Sequence, residues 1–146
     1  MSIIRSDNQA DGVEIQRLVI ESTDYYREMA DVLEDHQIAQ TLQGIARERA
    51  TFVQPFERVV KQLDELPVQP DPEKELMQKL GGEITNLFAT DSTTAILEKC
   101  LREDNKLADL VSQTRLGEQS AEFQKLLDSL LAHLRNTQAL VQSLQN

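Results

Sequence analysis

Residues 66–73 read Leu-Pro-Val-Gln-Pro-Asp-Pro-Glu and divide the sequence into two helical halves. Pro67 and Pro70 cannot continue a helix, because proline lacks the amide donor and its ring clashes with the preceding turn. Asp71 followed by Pro72 is a favourable helix start, with a capping side chain and a proline in the first turn. We therefore predict a long connection here between two helical halves.

Apolar residues recur at helical spacing on both sides of this stretch. Four segments each have one apolar face, which predicts bundle helices over about 11–35, 37–66, 92–115 and 119–144. An extra helix is predicted at about 72–89, although Gly81 and Gly82 lie inside it. Residues 1–10 have no apolar face and are predicted to form a polar N-terminal arm. Aromatic residues are only 4% of the chain, which disfavours strands.

The lengths of the connections indicate how the helices pack. The first two helices are separated by a few residues only, and so are the last two, whereas the second and third are far apart. Two hairpins joined by one long crossover are the ferritin-like arrangement of a four-helix bundle. We predict an all-α, antiparallel bundle of this kind over residues 11–146. Pro55 leaves the carbonyl of Thr51 without its helical donor, so a kink is expected there.

Composition excludes several classes of function. The formal net charge of −10 repels phosphate groups, which disfavours nucleic acid and anionic membrane surfaces as partners. No apolar run approaches the roughly 18 residues of a membrane span, and the first 15 residues show no secretory signal. Cys100 is the only cysteine, so no internal disulfide is expected. These features favour a cytoplasmic protein, and no catalytic triad or nucleotide-binding motif is present.

Three segments resemble a bacterial ferritin-like family of small proteins described as a domain of unknown function. They are Asp-Tyr-Tyr-Arg at 24–27, Ala-Arg-Glu-Arg-Ala-Thr-Phe-Val at 46–53, and Ala-Ile-Leu-Glu-Lys-Cys at 95–100 with the following Glu103-Asp104. The family is similar to stress-associated members of the ferritin-like superfamily. Over about residues 12–143, the resemblance implies a four-helix bundle with mid-height as the place for a metal site.

The ligand set of a di-iron bundle is incomplete in this sequence. Such bundles use a Glu on each of two helices and Glu-x-x-His on each of the other two. The chain has two histidines, His36 and His133, and neither follows a Glu at that spacing. Glu48, Glu103 and His133 are nevertheless expected about level with one another, at the edges of their apolar faces. With Asp104, they are the candidate ligands for a single iron or manganese ion.

Charged residues also occupy the centres of two apolar faces. These are Arg49 on the second helix and Asp104 on the third, with Ser22 at the centre of the first. A buried unpaired charge costs several kcal/mol, so we predict that Arg49 pairs with Asp104 across the bundle, with Ser22 nearby. The alternative is that the charged groups reach solvent. An arginine at this position would also repel a bound cation.

Two functional hypotheses follow from these patterns. The first is a non-catalytic scaffold or interaction protein without a cofactor, which the missing histidines and Arg49 favour. The second is a metal-binding protein with a reduced carboxylate and histidine site, used in metal storage or oxidative-stress redox chemistry. The sequence does not identify a protein partner, and a homodimer is expected only by analogy with other bundles.

Overall fold

The computed structural model describes residues 7–63 and 92–145, and these residues are helical with no strand. The helices are α1 (Asp7–Val32), α2 (His36–Ala50), α3 (Val53–Gln62), α4 (Ser92–Gln113) and α5 (Ala121–Leu144), with a short 3-10 turn at Leu116–Gln119. The all-α prediction is confirmed for this part of the chain. None of the helices described is long and apolar enough to cross a membrane. The predicted helix at 72–89 lies outside the described residues.

Polar contacts explain where the helices begin. Asp35 caps α2, because its carboxylate accepts hydrogen bonds from the amides of Gln37 and Ile38. Ser120 caps α5 in the same way through the amide of Phe123, as its residue type predicted.

Helix α1 begins at Asp7, four residues before the predicted start of the first helix, so residues 7–10 of the predicted arm are helical. Its first turn carries no apolar face for the periodicity to detect. That turn is held instead by the side-chain amide of Gln9, which donates to the carbonyl of Leu63 at 2.6 Å.

The second predicted helix is divided into two helices rather than kinked. The amides of Thr51 and Phe52 bond to carbonyls three residues back, so the α-helical pattern is lost between α2 and α3. The hydroxyl of Thr51 also donates to the carbonyl of Glu48 at 2.6 Å. Pro55 then falls in the first turn of α3, where its missing amide donor costs nothing. The prediction of a distortion at Thr51 was right, but its form is a break.

Contacts at the two ends of the bundle define the helix directions. At one end Asp11 of α1 accepts from the hydroxyl of Thr114, just beyond α4, so α1 and α4 are antiparallel. At the other end Met29, Ile96 and Val141 share one apolar cluster, which joins the end of α1 to the start of α4 and the end of α5. Leu63 and the start of α4 therefore lie at opposite ends of the bundle. This separation requires a long connection between the second and third bundle helices.

Among the described residues, the core consists of two apolar clusters separated by a polar layer. The first cluster fills the end where α1 begins and includes Ile15, Val19, Phe56, Leu107, Leu116 and Leu130. The second fills the opposite end and includes Tyr25, Met29, Leu42, Ile45, Leu97 and Val141. Between them lie buried side chains that are polar or charged, among them Arg49, Asp104, His133 and Thr137. This layer is the candidate site.

Candidate functional site

The centre of the polar layer is an ion pair between Arg49 of α2 and Asp104 of α4. The two terminal nitrogens of the guanidinium donate to the two carboxylate oxygens, with Nη1 to Oδ1 at 2.7 Å and Nη2 to Oδ2 at 2.9 Å. Arg49 is 0% exposed and Asp104 is 1% exposed. The structure thus brings together the two residues that the sequence placed at the centres of facing apolar stripes. The planar fork of arginine matches a carboxylate in this bidentate geometry.

Two further helices contribute to the same hydrogen-bond network. The Tyr26 hydroxyl of α1 donates to Asp104 Oδ2 at 2.7 Å, and the guanidinium carbon of Arg49 lies 5.0 Å from the centre of the Tyr26 ring. From α5, His133 accepts from Arg49 Nε at 3.1 Å through its Nε2 atom. Each of α1, α2, α4 and α5 therefore supplies one side chain to this network. The ring of Phe52, at the break before α3, packs on His133 with centroids 5.5 Å apart.

The electrostatics of the layer follow from burial and from the ion pair. Burial opposes the charge on Arg49, but the Asp104 carboxylate outweighs it and raises the pKa of the guanidinium. Burial, followed by the negative charge of Asp104, raises the pKa of Tyr26, so its hydroxyl stays protonated and donates. For His133, burial and then the charge of Arg49 lower the pKa, and Glu48 only partly offsets them. The imidazole is therefore neutral near pH 7.

The contact with Arg49 also fixes the tautomer of His133. Because Nε2 accepts a hydrogen bond, the proton of the neutral ring lies on Nδ1. That atom is 3.4 Å from Oε1 of Glu48, too long and poorly aligned for a full hydrogen bond. The Glu48 side chain is 66% exposed, so water competes with His133 for its carboxylate.

The four candidate metal ligands are not arranged as a ligand set. The guanidinium of Arg49 lies between Asp104 and His133 and donates hydrogen bonds to Oδ1 of Asp104 and Nε2 of His133. These are atoms that would have to face a metal ion. Glu103 lies toward α1 and pairs with Lys106 at 3.5 Å, with 38% of its side chain exposed. Within the described ranges, no group of three or more His, Cys, Asp and Glu side chains is placed to hold a metal ion.

One feature of the layer was not predicted from the sequence. Tyr26 was not predicted as a partner of the ion pair, whereas its hydroxyl is the third donor to Asp104. Ser22 lines the same cavity as Tyr26 and Asp104, and its hydroxyl donates to the carbonyl of Val19 in its own helix at 3.3 Å. The sequence did contain a signal for Tyr26, which lies one helical turn after Ser22 at the centre of the apolar face. A buried tyrosine hydroxyl needs a hydrogen-bond partner, and a polar position is where one can be found.

Comparisons with known proteins add no further assignment, since no protein-family model, curated protein or solved structure matches this chain. The ferritin-like family and its metal site accordingly stay predictions. The site must be interpreted from its own geometry.

Proposed function

We propose that this chain is a non-catalytic, ferritin-like scaffold or interaction protein whose central layer is held by an internal cation. The observation that carries the proposal is the position of the Arg49 guanidinium between Asp104 and His133. Carboxylate and imidazole groups at mid-height are the groups that a di-metal bundle uses. Here an arginine side chain neutralises the carboxylate, donates hydrogen bonds to both groups, and supplies the positive charge that a metal would supply.

The chemistry of the layer supports a structural role. Redox or hydrolytic work at a metal requires open coordination positions and access for substrate. Both carboxylate oxygens of Asp104 accept from Arg49, and Nε2 of His133 accepts from the same guanidinium. All three potential ligand atoms therefore already accept hydrogen bonds from a protein side chain.

The alternative function, a protein that binds a single iron or manganese ion, has one contact in its favour. His133 Nδ1 and Glu48 Oε1 lie 3.4 Å apart, and the Glu48 side chain extends into solvent. An ion bound there would use Glu48 and His133, with Glu103 or Asp104 reaching it only after rearrangement. Metal analysis distinguishes the two functions.

The experiment compares metal content after growth with added iron or manganese. We expect far less than one ion per chain, with no difference between the wild type, Glu48→Ala and the control Glu57→Ala. Glu57 is a suitable control because it is an acid of α3 whose salt bridge is with Lys61, away from the layer. One tightly bound ion per chain, lost in Glu48→Ala and kept in Glu57→Ala, would establish the alternative. The homodimer stays a proposal that sedimentation analysis of the same samples tests.

A further inference from the structure

A cavity of about 230 Å³ lies between α1 and α4, on the Tyr26 side of the polar layer. Its inner wall is made by buried side chains, namely Tyr25, Tyr26, Cys100, Asp104 and Leu107. The volume exceeds the roughly 150 Å³ of a cavity that accepts benzene and is below that of pockets for drug-sized ligands. The space therefore suits one small ring with a short substituent.

The ionic groups around the cavity compensate one another. Asp104 is paired with Arg49 at 2.7 Å, and Glu103 at the rim is paired with Lys106 at 3.5 Å. The other two ionic side chains in the described part of the lining have opposite charges and contacts of their own: Glu21 and Lys99. A charged ligand would lose its hydration here without meeting an uncompensated charge of the protein. The cavity therefore favours a neutral molecule.

Hydroxyl and carboxylate groups of the wall can accept a hydrogen bond from a ligand. The hydroxyl of Tyr26 uses its hydrogen for Asp104, so toward a ligand its oxygen serves as an acceptor. The carboxylate of Asp104 has no hydrogen to donate and likewise only accepts. The hydroxyl of Ser22, which also lines the cavity, uses its hydrogen for the carbonyl of Val19. A ligand that carries a hydrogen-bond donor therefore matches these groups better than one that only accepts.

We propose that the cavity between α1 and α4 binds a small neutral phenol, with its ring against Leu18, Leu107 and the tyrosine rings. An aromatic body suits this wall, because aromatic rings pack favourably on one another in offset or edge-to-face contacts. The phenol hydroxyl donates to the acceptors of Tyr26 and Asp104. The proposal is independent of the scaffold function and adds a ligand site to it.

The test is isothermal titration of the full chain at neutral pH with p-cresol, its isomer anisole, benzylamine and benzoate. We expect saturable binding of p-cresol at about millimolar concentration, as small fragments of this size bind. Anisole has no donor and should bind about two- to tenfold more weakly, which is the effect of one hydrogen bond. Benzylamine and benzoate should bind at least about tenfold more weakly, because their charges stay uncompensated. Equal binding of p-cresol and anisole, equal or tighter binding of a charged molecule, or no saturable binding would each overturn the proposal.

The tyrosine rings report where the ligand binds. The chain has two tyrosines, Tyr25 and Tyr26, and both line the cavity. In NMR spectra of the chain with isotope-labelled tyrosine and histidine, the ring signals of both tyrosines should shift with p-cresol and saturate at the concentration found by titration. The control is the ring of His36, which is exposed at the start of α2 and should not shift. Heat of binding without a shift at the tyrosines would place the ligand elsewhere and overturn the site.

A substitution that fills the cavity provides the last arm. Ser22→Leu places a larger side chain in the wall and should abolish p-cresol binding, with the fold checked by circular dichroism and urea unfolding. The matched control is Ser129→Leu, the same change at an exposed position of α5, which should leave the affinity unchanged. Unchanged affinity in folded Ser22→Leu, or an equal loss in Ser129→Leu, would contradict the assignment. If Ser22→Leu does not fold, the ligand series and the tyrosine signals of the wild type still decide the proposal.

Discussion

Replacing Arg49 by Met and Asp104 by Leu, singly and together, measures how the polar layer contributes to stability. Each single substitution leaves the other charge inside a core where both residues are at most 1% exposed. Breaking a buried pair in this way costs about 3–5 kcal/mol, because the remaining charge is uncompensated. The double variant buries no charge, although the Tyr26 hydroxyl and His133 Nε2 lose their partners. We expect it to cost about 1–3 kcal/mol.

The comparison is a double-mutant cycle read by urea unfolding, followed by far-ultraviolet circular dichroism at pH 7. The sum of the two single effects should exceed the double effect by about 3 kcal/mol or more. If neither single variant folds while the double variant does, the conclusion is the same. The control is the exposed pair of Lys61 and Glu57, 3.3 Å apart, for which the coupling should stay below about 1 kcal/mol. Small, additive effects at Arg49 and Asp104 would refute the reasoning and remove the argument that arginine replaces a metal.

Three further outcomes test the layer and its surroundings. Burial and the charge of Arg49 lower the pKa of His133, so as pH falls the unfolded chain binds a proton at this histidine before the folded chain does. The free energy of unfolding is therefore unaffected by this group above about pH 6.5. Below that pH it falls by up to about 1.4 kcal/mol per pH unit. Urea midpoints between pH 7 and 5 should show this loss in the wild type and in the exposed-site control His36→Gln, but not in His133→Gln. Tyr26→Phe removes a 2.7 Å hydrogen bond to Asp104 and should lower the free energy of unfolding by about 1–3 kcal/mol. An unchanged free energy in urea unfolding would mean that water replaces the hydroxyl. Burial, and then the charge of Asp104, raise the pKa of Cys100 to about 12. The thiol of Cys100 should therefore react slowly with a thiol reagent in the native protein and fast in urea. Fast labelling of the native protein would contradict its burial.

The sequence predicted the features of the fold that depend on periodicity and on caps. Helical spacing of apolar residues located all the described bundle helices, and Ser120 marked the start of α5. The errors lie where polar contacts replace periodicity. Gln9 extends α1 backwards through a bond to Leu63, which no local pattern reports. Near Pro55, the helix breaks because the amides of Thr51 and Phe52 bond to carbonyls three residues back. Local geometry, rather than composition, decides which carbonyls these amides choose.

The candidate site was predictable in part for a physical reason. Arg49 and Asp104 stood out because charge on an apolar stripe demands a partner of opposite charge. Tyr26 did not stand out, and His133 stood out only as a candidate metal ligand, since each is amphipathic and fits equally well as a core or a boundary residue. Their roles become visible only when the heights of four helices are compared in three dimensions. His133 was expected at the interface edge with Glu48, but it is buried and directs Nε2 at Arg49.

The layer explains how one arginine can serve the same structural purpose as a bound metal. A metal at mid-height of a bundle holds carboxylate and imidazole ligands from several helices around one positive charge. Arg49 meets a carboxylate from α4, an imidazole from α5 and an aromatic ring from α1. Because each contact comes from a different helix, a shift of any helix by one turn would break one of them. Buried polar groups of this kind add less to stability than apolar packing would, so we infer that this layer serves to specify the alignment of the helices that supply it. On the proposed function, a scaffold needs that fixed alignment, and the internal cation makes it independent of metal supply.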